Sequence, residues 1–589
     1  METAEKLITE NLDVWTSAVK TKSSAGRGTS NKRMLYGAKK LRELILELAV
    51  RGLLIAQNPN DEPTARLLKD VAAERARLIA VGKIKKKKAA PRDPSNELQL
   101  ALPPQWGKAA LADLGEFRGG KTPSKNNPAY WGGEIPWVTP KDMKPSAIEG
   151  AEDQVTQLAV DDGLAIHEPE SILFVVRSGI LRRLLPVAIS RIDCTVNQDL
   201  KVLNPYKKEL SPYLALMCKG FERHILQSLT KTGTTVESIV FEKFSSHRFP
   251  IPPLAEQHRI VAKVDDLMAL CDQLEQEQES SLETHDTLVI TLLGALTSAS
   301  AQGATFAEAW QRIQANFDTL FTTESSIDQL KQTILQLAVM GKLVPQDPKD
   351  EPAVKLLARI AAERTGLINS KLIRKPKEMI ELDELPRPFG LSKKWRWVRL
   401  GELCYVVADG PHFSPKYVDK SEGVTFLSMR NVSVDNIDLS SAKYVSQADH
   451  ETFCKRVKVK KGDVLYTKGG TTGVAKVNDL DIEFSVWVHL AVLQIPNDKL
   501  CNEYVALALN SPHCFKQSQE YTNGIGNKDL GLTRMINITL PLPPLEEQHR
   551  IVAKVDELMA LCEQLKARFA TAQTTQLYLA DSLVKEAVK

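Results

Sequence analysis

Residues Gly115-Glu-Phe-Arg-Gly-Gly120-Lys121-Thr122 match the spacing Gly, four residues, Gly-Lys-Thr, with which backbone N–H groups and a lysine can cradle nucleotide phosphates. That chemistry needs a strand before the loop and a helix after it, so that helical N–H groups and the helix dipole meet the phosphates. Pro123 and Pro128 interrupt the required helix, and the apolar run Ile172-Leu-Phe-Val-Val176 ends in Arg177 rather than in a magnesium-binding aspartate. A phosphate-loop ATPase built on Gly115–Thr122 is therefore the alternative reading, and it predicts ATP hydrolysis by the isolated chain.

Other catalytic patterns are incomplete. Asn204-Pro-Tyr206 and Asn127-Pro-Ala-Tyr130 approach the Asn-Pro-Pro-aromatic loop of adenine methyltransferases, but neither has the second proline. The ten histidines form no His-Glu-x-x-His spacing, no Gly-x-Ser-x-Gly elbow occurs, and the eight cysteines contain no Cys-x-x-Cys. The expectation is a chain with no catalytic residues, no bound metal and no cofactor of its own, its cysteines reduced thiols.

What recurs instead is a set of Gly-rich or polar turns carrying a cation beside hydroxyls or amides. They present Lys121, Thr122 and Ser124; Arg177 and Ser178; Lys231 and Thr234; His412, Ser414 and Lys416; Arg430 and Asn431; Lys468 and Thr471; and Lys528. Such side chains bond phosphate oxygens and base edges, and glycine lets the backbone approach closely. These residues are the candidate DNA-binding set.

The elements that must hold these turns are revealed by an internal repeat. Residues 250–275 and 541–566 are identical at 21 of 26 positions, and residues 41–79 match 330–368 at 21 of 39. Between the matched brackets lie 170 residues (80–249) and 172 residues (369–540) of nearly equal length and little identity. Equal length with unlike sequence predicts one fold with two different surfaces, framed twice in the same way.

Periodicity fills in the elements. Ile551, Val555, Leu558, Cys562, Leu565, Phe569 and Ala572 step by four and three, a heptad seam following the helix-starting Pro541-Leu-Pro-Pro544. The first copy has Ile260, Val264, Leu267, Cys271 and Leu274, then fades into the polar stretch Gln273–Ser281. Leu41–Val50 and Leu330–Val339 read as shorter amphipathic helices, whereas the inserts hold short β-branched runs such as Val464-Leu-Tyr466 between Gly and Pro turns. Basic linkers, Lys83–Lys88 and Lys371–Lys377, lead into each insert. The expected class is α+β: two strand-rich domains separated by long helices forming an intramolecular antiparallel coiled coil, with pseudo-two-fold internal duplication. The expected divisions are 1–100, 101–253, 254–389, 390–544 and 545–589.

Composition is compatible with this. The 589 residues are 43% hydrophobic and 25% charged, as in folded globular chains, and have no apolar stretch long enough for a membrane span. Without a secretory signal, the chain is expected in the cytoplasm with no membrane partner. Net charge is only +4; residues 101–249 hold 18 Lys+Arg against 17 Asp+Glu, and 390–540 hold 19 against 16. The inserts, at +1 and +3, account for the whole excess.

The twice-used Pro-x-Pro-Pro-Leu-x-Glu-Gln-His-Arg-Ile-Val at 250–261 and 541–552, with Gly119-Gly-Lys-Thr-Pro-Ser124 and Asp409-Gly-Pro-His412, resembles the specificity subunit of type I restriction-modification systems. The resemblance spans essentially the whole chain. It implies two target-recognition domains, each reading one half of an asymmetric, split site in double-stranded DNA. It further implies a frame that docks two methyltransferase subunits, with S-adenosylmethionine on those partners and ATP and Mg2+ on separate restriction or motor subunits. A coiled-coil scaffold without DNA binding is the remaining alternative.

Overall fold

The computed structural model describes residues 2–21, 33–85, 98, 100–231, 236–298, 306–496, 498–522 and 529–587. The chain divides into two units, residues 1–281 with 572–589, and residues 282–571. Each is a mixture of helices and strands.

In the first unit the helices Tyr36–Arg51 and Thr64–Ala80 precede a strand-rich domain. A two-stranded ribbon closes that domain, pairing Gly107–Ala110 antiparallel with Arg248–Ile251. Inside it a five-stranded sheet runs in the order Gly115–Gly119, Leu200–Pro205, Ile172–Val175, Val187–Ser190, Ala147–Ile148. Its central strand Ile172–Val175 is buried at every position, which is why it reads as an unbroken apolar run rather than an alternating one. Two three-stranded sheets flank it, one ordered Thr195–Val196, Trp131–Val138, Asp153–Val155, the other Thr230–Lys231, Glu237–Ile239, Arg177–Ser178.

The second unit repeats the plan. Glu324–Val339 and Ala353–Asn369 precede a ribbon of Arg396–Arg399 with Thr539–Leu542. A four-stranded sheet follows in the order Val406–Asp409, Leu490–Gln494, Val464–Thr467, Ala475–Val477. The first, last, second and third of these strands along the chain are neighbours, as in the first four strands of the larger sheet of the first unit.

Each unit has the same junction between helices, ribbon and long helix. The Trp106 indole donates to Glu256 at 3.0 Å and Gln57 donates to its other oxygen at 2.7 Å; Trp395 and Gln346 do the same to Glu547 at 3.0 and 2.6 Å. Both glutamates are buried, and burial lifts both carboxyls above the ordinary value of 4.5 while the indole and the nearby arginine draw them back. Arg259 pairs with Asp61 at 2.5 Å and Arg550 with Asp350 at 2.6 Å. Buried Tyr213 and Tyr504 donate to the carbonyls of Pro250 and Pro541. Gly52 (φ +74°) and Gly341 (φ +67°) end their helices in the left-handed region. At either, a Cβ would stand 3.1 Å from the tryptophan ring below.

The long helices, Leu254–Ser298 and Leu545–Ala587, outrun the seam read from sequence. The polar stretch Gln273–Ser281 does not end the first helix, because Gln, Glu and Leu are strong helix formers and Gln273 donates to Glu277 one turn on at 2.8 Å. Beyond it Val289, Leu293 and Leu296 join the core of the second unit. Ala580, near the other helix's end, lies in the core of the first. Among the described residues no helix is long and apolar enough to cross a membrane.

Candidate nucleic-acid interface

In the first unit the turn after strand Gly115–Gly119 is held by the turn after Thr195–Val196. Lys121 N–H donates to the Val196 carbonyl at 3.0 Å, the Thr122 hydroxyl bonds Gln198, and the Trp137 and Trp131 indoles donate to the carbonyls of Lys121 and Ser124. Gly120 is obligatory here, since a Cβ would fall 2.0 Å from the Asn197 carbonyl oxygen. With its backbone fixed, the Lys121 side chain is exposed, as is that of Ser124. No helix begins at Lys121, and Gly115–Gly119 spends its backbone groups on the strand Leu200–Pro205, so the phosphate-loop geometry does not form.

Arg177 and Lys231 are brought together by the small three-stranded sheet, both in register with Ser238 on the strand between them. Both are exposed, and the Ser178 hydroxyl caps a short turn by accepting from Ile180 N–H. Thr234 lies outside the described residues. Lys201 was not among the residues singled out from sequence. It pairs with Gly119 across the sheet, its ammonium 5.3 Å from the Phe241 ring and 2.7 Å from where a Gly119 Cβ would be. Only the register could have revealed it.

The second unit places its candidates differently. His412, Ser414 and Lys416 are exposed on the loop after strand Val406–Asp409, and Gly410 is forced by the Val486 carbonyl, 1.7 Å from an added Cβ. Thr471 and Arg430 are exposed, and the turns bearing them meet where Gly470 leaves room for the Met429 thioether. Two residues differ from a surface reading. Asn431 is buried, its carbonyl oxygen accepting from Ser428 and its amide donating to Asp438 and Ser441, which makes it a turn-former. Lys468 is 3% exposed and sits between Asp409 (3.5 Å) and Asp529 (2.9 Å), so its ammonium is spent inside the domain. Lys528 lies outside the described residues.

Arg456 completes the second cluster without having been expected there. It follows the helix Gln447–Cys454 in the basic run Lys455–Lys461, a signal that sequence alone leaves as an ordinary solvated face. Its Nε donates to the Asp409 carbonyl at 2.8 Å and an Nη donates to the Asp409 carboxylate.

Two sets of exposed cations and hydroxyls, some on the turns that Gly120 and Gly410 fix after the first strand of each sheet and others on short strands and turns elsewhere in the domain, suit recognition of nucleic-acid edges and phosphates. The description "Type I restriction modification DNA specificity domain" matches residues 103–284 and 392–570, more than half of the chain. The chain belongs to the type I restriction-modification DNA specificity family. As a specificity subunit it is similar along its whole length to the type I restriction enzyme EcoAI specificity subunit of Escherichia coli, 36% identical over 99% of both chains. It is also 34% identical, over 99% of both, to the EcoEI specificity subunit of the same organism. Among solved structures, the HsdS subunit from Thermoanaerobacter tengcongensis is 19% identical over 84% of this chain and 99% of that one, with a TM-score of 0.39.

Proposed function

We propose that this specificity subunit reads the two halves of an asymmetric, split site in double-stranded DNA and supplies no catalysis itself. Residues 101–253 would read one half and 390–544 the other, while residues 1–100, 254–389 and 545–589 form the frame. Lys121, Ser124, Arg177 and Lys231 contact DNA from the first domain, with His412, Ser414, Lys416, Arg430 and Thr471 from the second. Thr122 and Ser178 set turn geometry, as Asn431 and Lys468 do in the second domain.

The frame docks two methyltransferase subunits, which bind S-adenosylmethionine and methylate adenine N6 after flipping the base from the stack. ATP and Mg2+ serve separate restriction or motor subunits, and the complex works in the cytoplasm without a membrane partner. The fold proposed for the frame is an intramolecular antiparallel coiled coil of the long helices, within a chain built by internal pseudo-two-fold duplication. The observation that carries this reading is that the junction of Trp, Gln and Glu with Arg and Asp recurs bond for bond beneath two unlike sets of turns.

The test is long-read mapping of N6-methyladenine in cells expressing the chain with its cognate methyltransferase, against methyltransferase alone. A split motif with a fixed gap, present only with this chain, is expected. An active methyltransferase whose pattern ignores the chain would contradict the proposal.

A further inference from the structure

Arg456 is arranged unlike the other cations of either domain. Its backbone is pinned where N–H donates to the Phe453 carbonyl at 2.9 Å, at the end of a helix whose Phe453 packs 5.9 Å from buried Phe426. One edge of the guanidinium is engaged from behind, Nε on the Asp409 carbonyl and Nη2 on the Asp409 carboxylate. Asp409 is itself fixed, being 1% exposed, with its other oxygen 3.5 Å from the buried Lys468 ammonium. Yet half of the Arg456 side chain faces solvent, at 49% exposure, beside His412, whose Nε2 lies 3.2 Å from Arg456 Nη2 and 3.3 Å from Asp409 Oδ1.

These facts separate two uses of an exposed arginine. A phosphate contact draws on net positive charge, and here Asp409 and Asp529 offset Lys468 and Arg456 one for one. A base contact draws on a rigid planar fork, which matches the paired N7 and O6 acceptors of guanine in the major groove and no other base edge so well. Buttressing by a buried carboxylate fixes that fork before DNA arrives, so little side-chain entropy is lost on binding.

The geometry points to Arg456 as the guanine-reading residue of the second recognition domain, aimed by Asp409, with Lys468 holding Asp409 in place. This rests on the specificity reading above. The class of ligand is a guanine in the second half-site, on either strand, contacted from the major groove through Nη1 and the outer hydrogen of Nη2, which is free for the base when His412 Nε2 donates to Asp409 Oδ1 instead of accepting from Nη2.

The experiment uses the full chain with its methyltransferase on duplexes carrying the mapped site. Each guanine of the second half-site, on both strands, is replaced in turn by 7-deazaguanine, which removes N7 without disturbing pairing. At one position binding should weaken by on the order of tenfold or more. Arg456→Ala and Arg456→Lys, weaker on the unmodified site, should lose nothing further at that position, while responses at the other guanines match the parent. Arg456→Lys keeps the charge and removes the fork, so it answers if the alanine variant fails to assemble.

Two results would overturn the assignment. One is a wild-type complex indifferent to every 7-deazaguanine of the second half-site. The other is an Arg456→Ala variant equally weakened on all duplexes, with its salt slope lower by about one, which marks a phosphate contact. Loss of preference for the mapped site over a scrambled one in the wild-type complex would instead sink the functional reading itself.

Discussion

The two recognition domains share a strand order and differ in where they keep their charge. Gly119 and Asp409 occupy corresponding positions, each ending its strand just before a glycine whose Cβ would strike a valine carbonyl, that of Val196 or of Val486. In the first domain that position is bare and the cation reaches it from the strand alongside. In the second it is a buried acid that gathers Lys468 and Arg456. Lys121, exposed on its turn two residues after Gly119, corresponds to the buried Pro411 two residues after Asp409. The lesson is that one backbone accommodates an open, basic turn or a neutral, internally paired cluster, because the hydrogen-bonded junction beneath does not depend on either.

That contrast can be broken most forcefully at the two lysines. Lys468→Ala removes one partner from a buried charge pair and should destabilise the second unit by about 3–5 kcal/mol. Lys121→Ala, at an exposed site, should change stability by no more than about 0.5 kcal/mol. Denaturant melts of the two variants would check this, and equal effects would erase the distinction between them.

Acid sharpens the comparison next. Burial pushes the His513 imidazole down to about 4 from 6.5, with Lys516 adding to the effect and the Thr539 carbonyl opposing it. His167 in the first unit is likewise pushed down to about 4, by burial and then by Arg118. A folded value below the unfolded one means that the unfolded chain takes up the proton first. Stability is therefore full above pH 6.5 and is lost as pH falls toward 4, by on the order of 3 kcal/mol for each histidine. Melting across this window should show His513→Gln flattening the loss in the second unit alone.

The shared junction should respond alike in both units. Trp106→Phe and Trp395→Phe each take a donor from a buried glutamate and should cost about 1–3 kcal/mol. Closely similar shifts in melting would support equivalence, and a large shift at only one would oppose it.

The smallest effect lies in DNA binding. If Lys121 meets phosphate, Lys121→Ala should lower the salt slope of binding by about one while leaving sequence preference intact. An unchanged slope would remove Lys121 from the contact set.

Much of this architecture is legible in the sequence because a near-identical repeat marks what is used twice. The glutamates, arginines and prolines of the junction lie inside the matched segments, and Trp106 and Trp395 recur at a fixed offset from Leu41 and Leu330. The sites are less legible. Whether a lysine in a Gly-rich turn faces water depends on partners far along the chain, as Asp409 and Asp529 lie 59 and 61 residues from Lys468. Lys201 and Arg456 gain their places from strand register and from the end of a helix, neither of which a local motif encodes. Helix length was hidden for another reason: a heptad count stops at the polar stretch 273–281, whereas helix propensity does not.

The most direct test of the central claim, that one frame carries two independent readers, is to replace residues 390–540 with a second copy of residues 101–249 and map N6-methyladenine in cells supplying the cognate methyltransferase. The predicted motif has the first half-site at both ends, in inverted orientation, with the gap kept. Persistence of the original second half-site would contradict the claim.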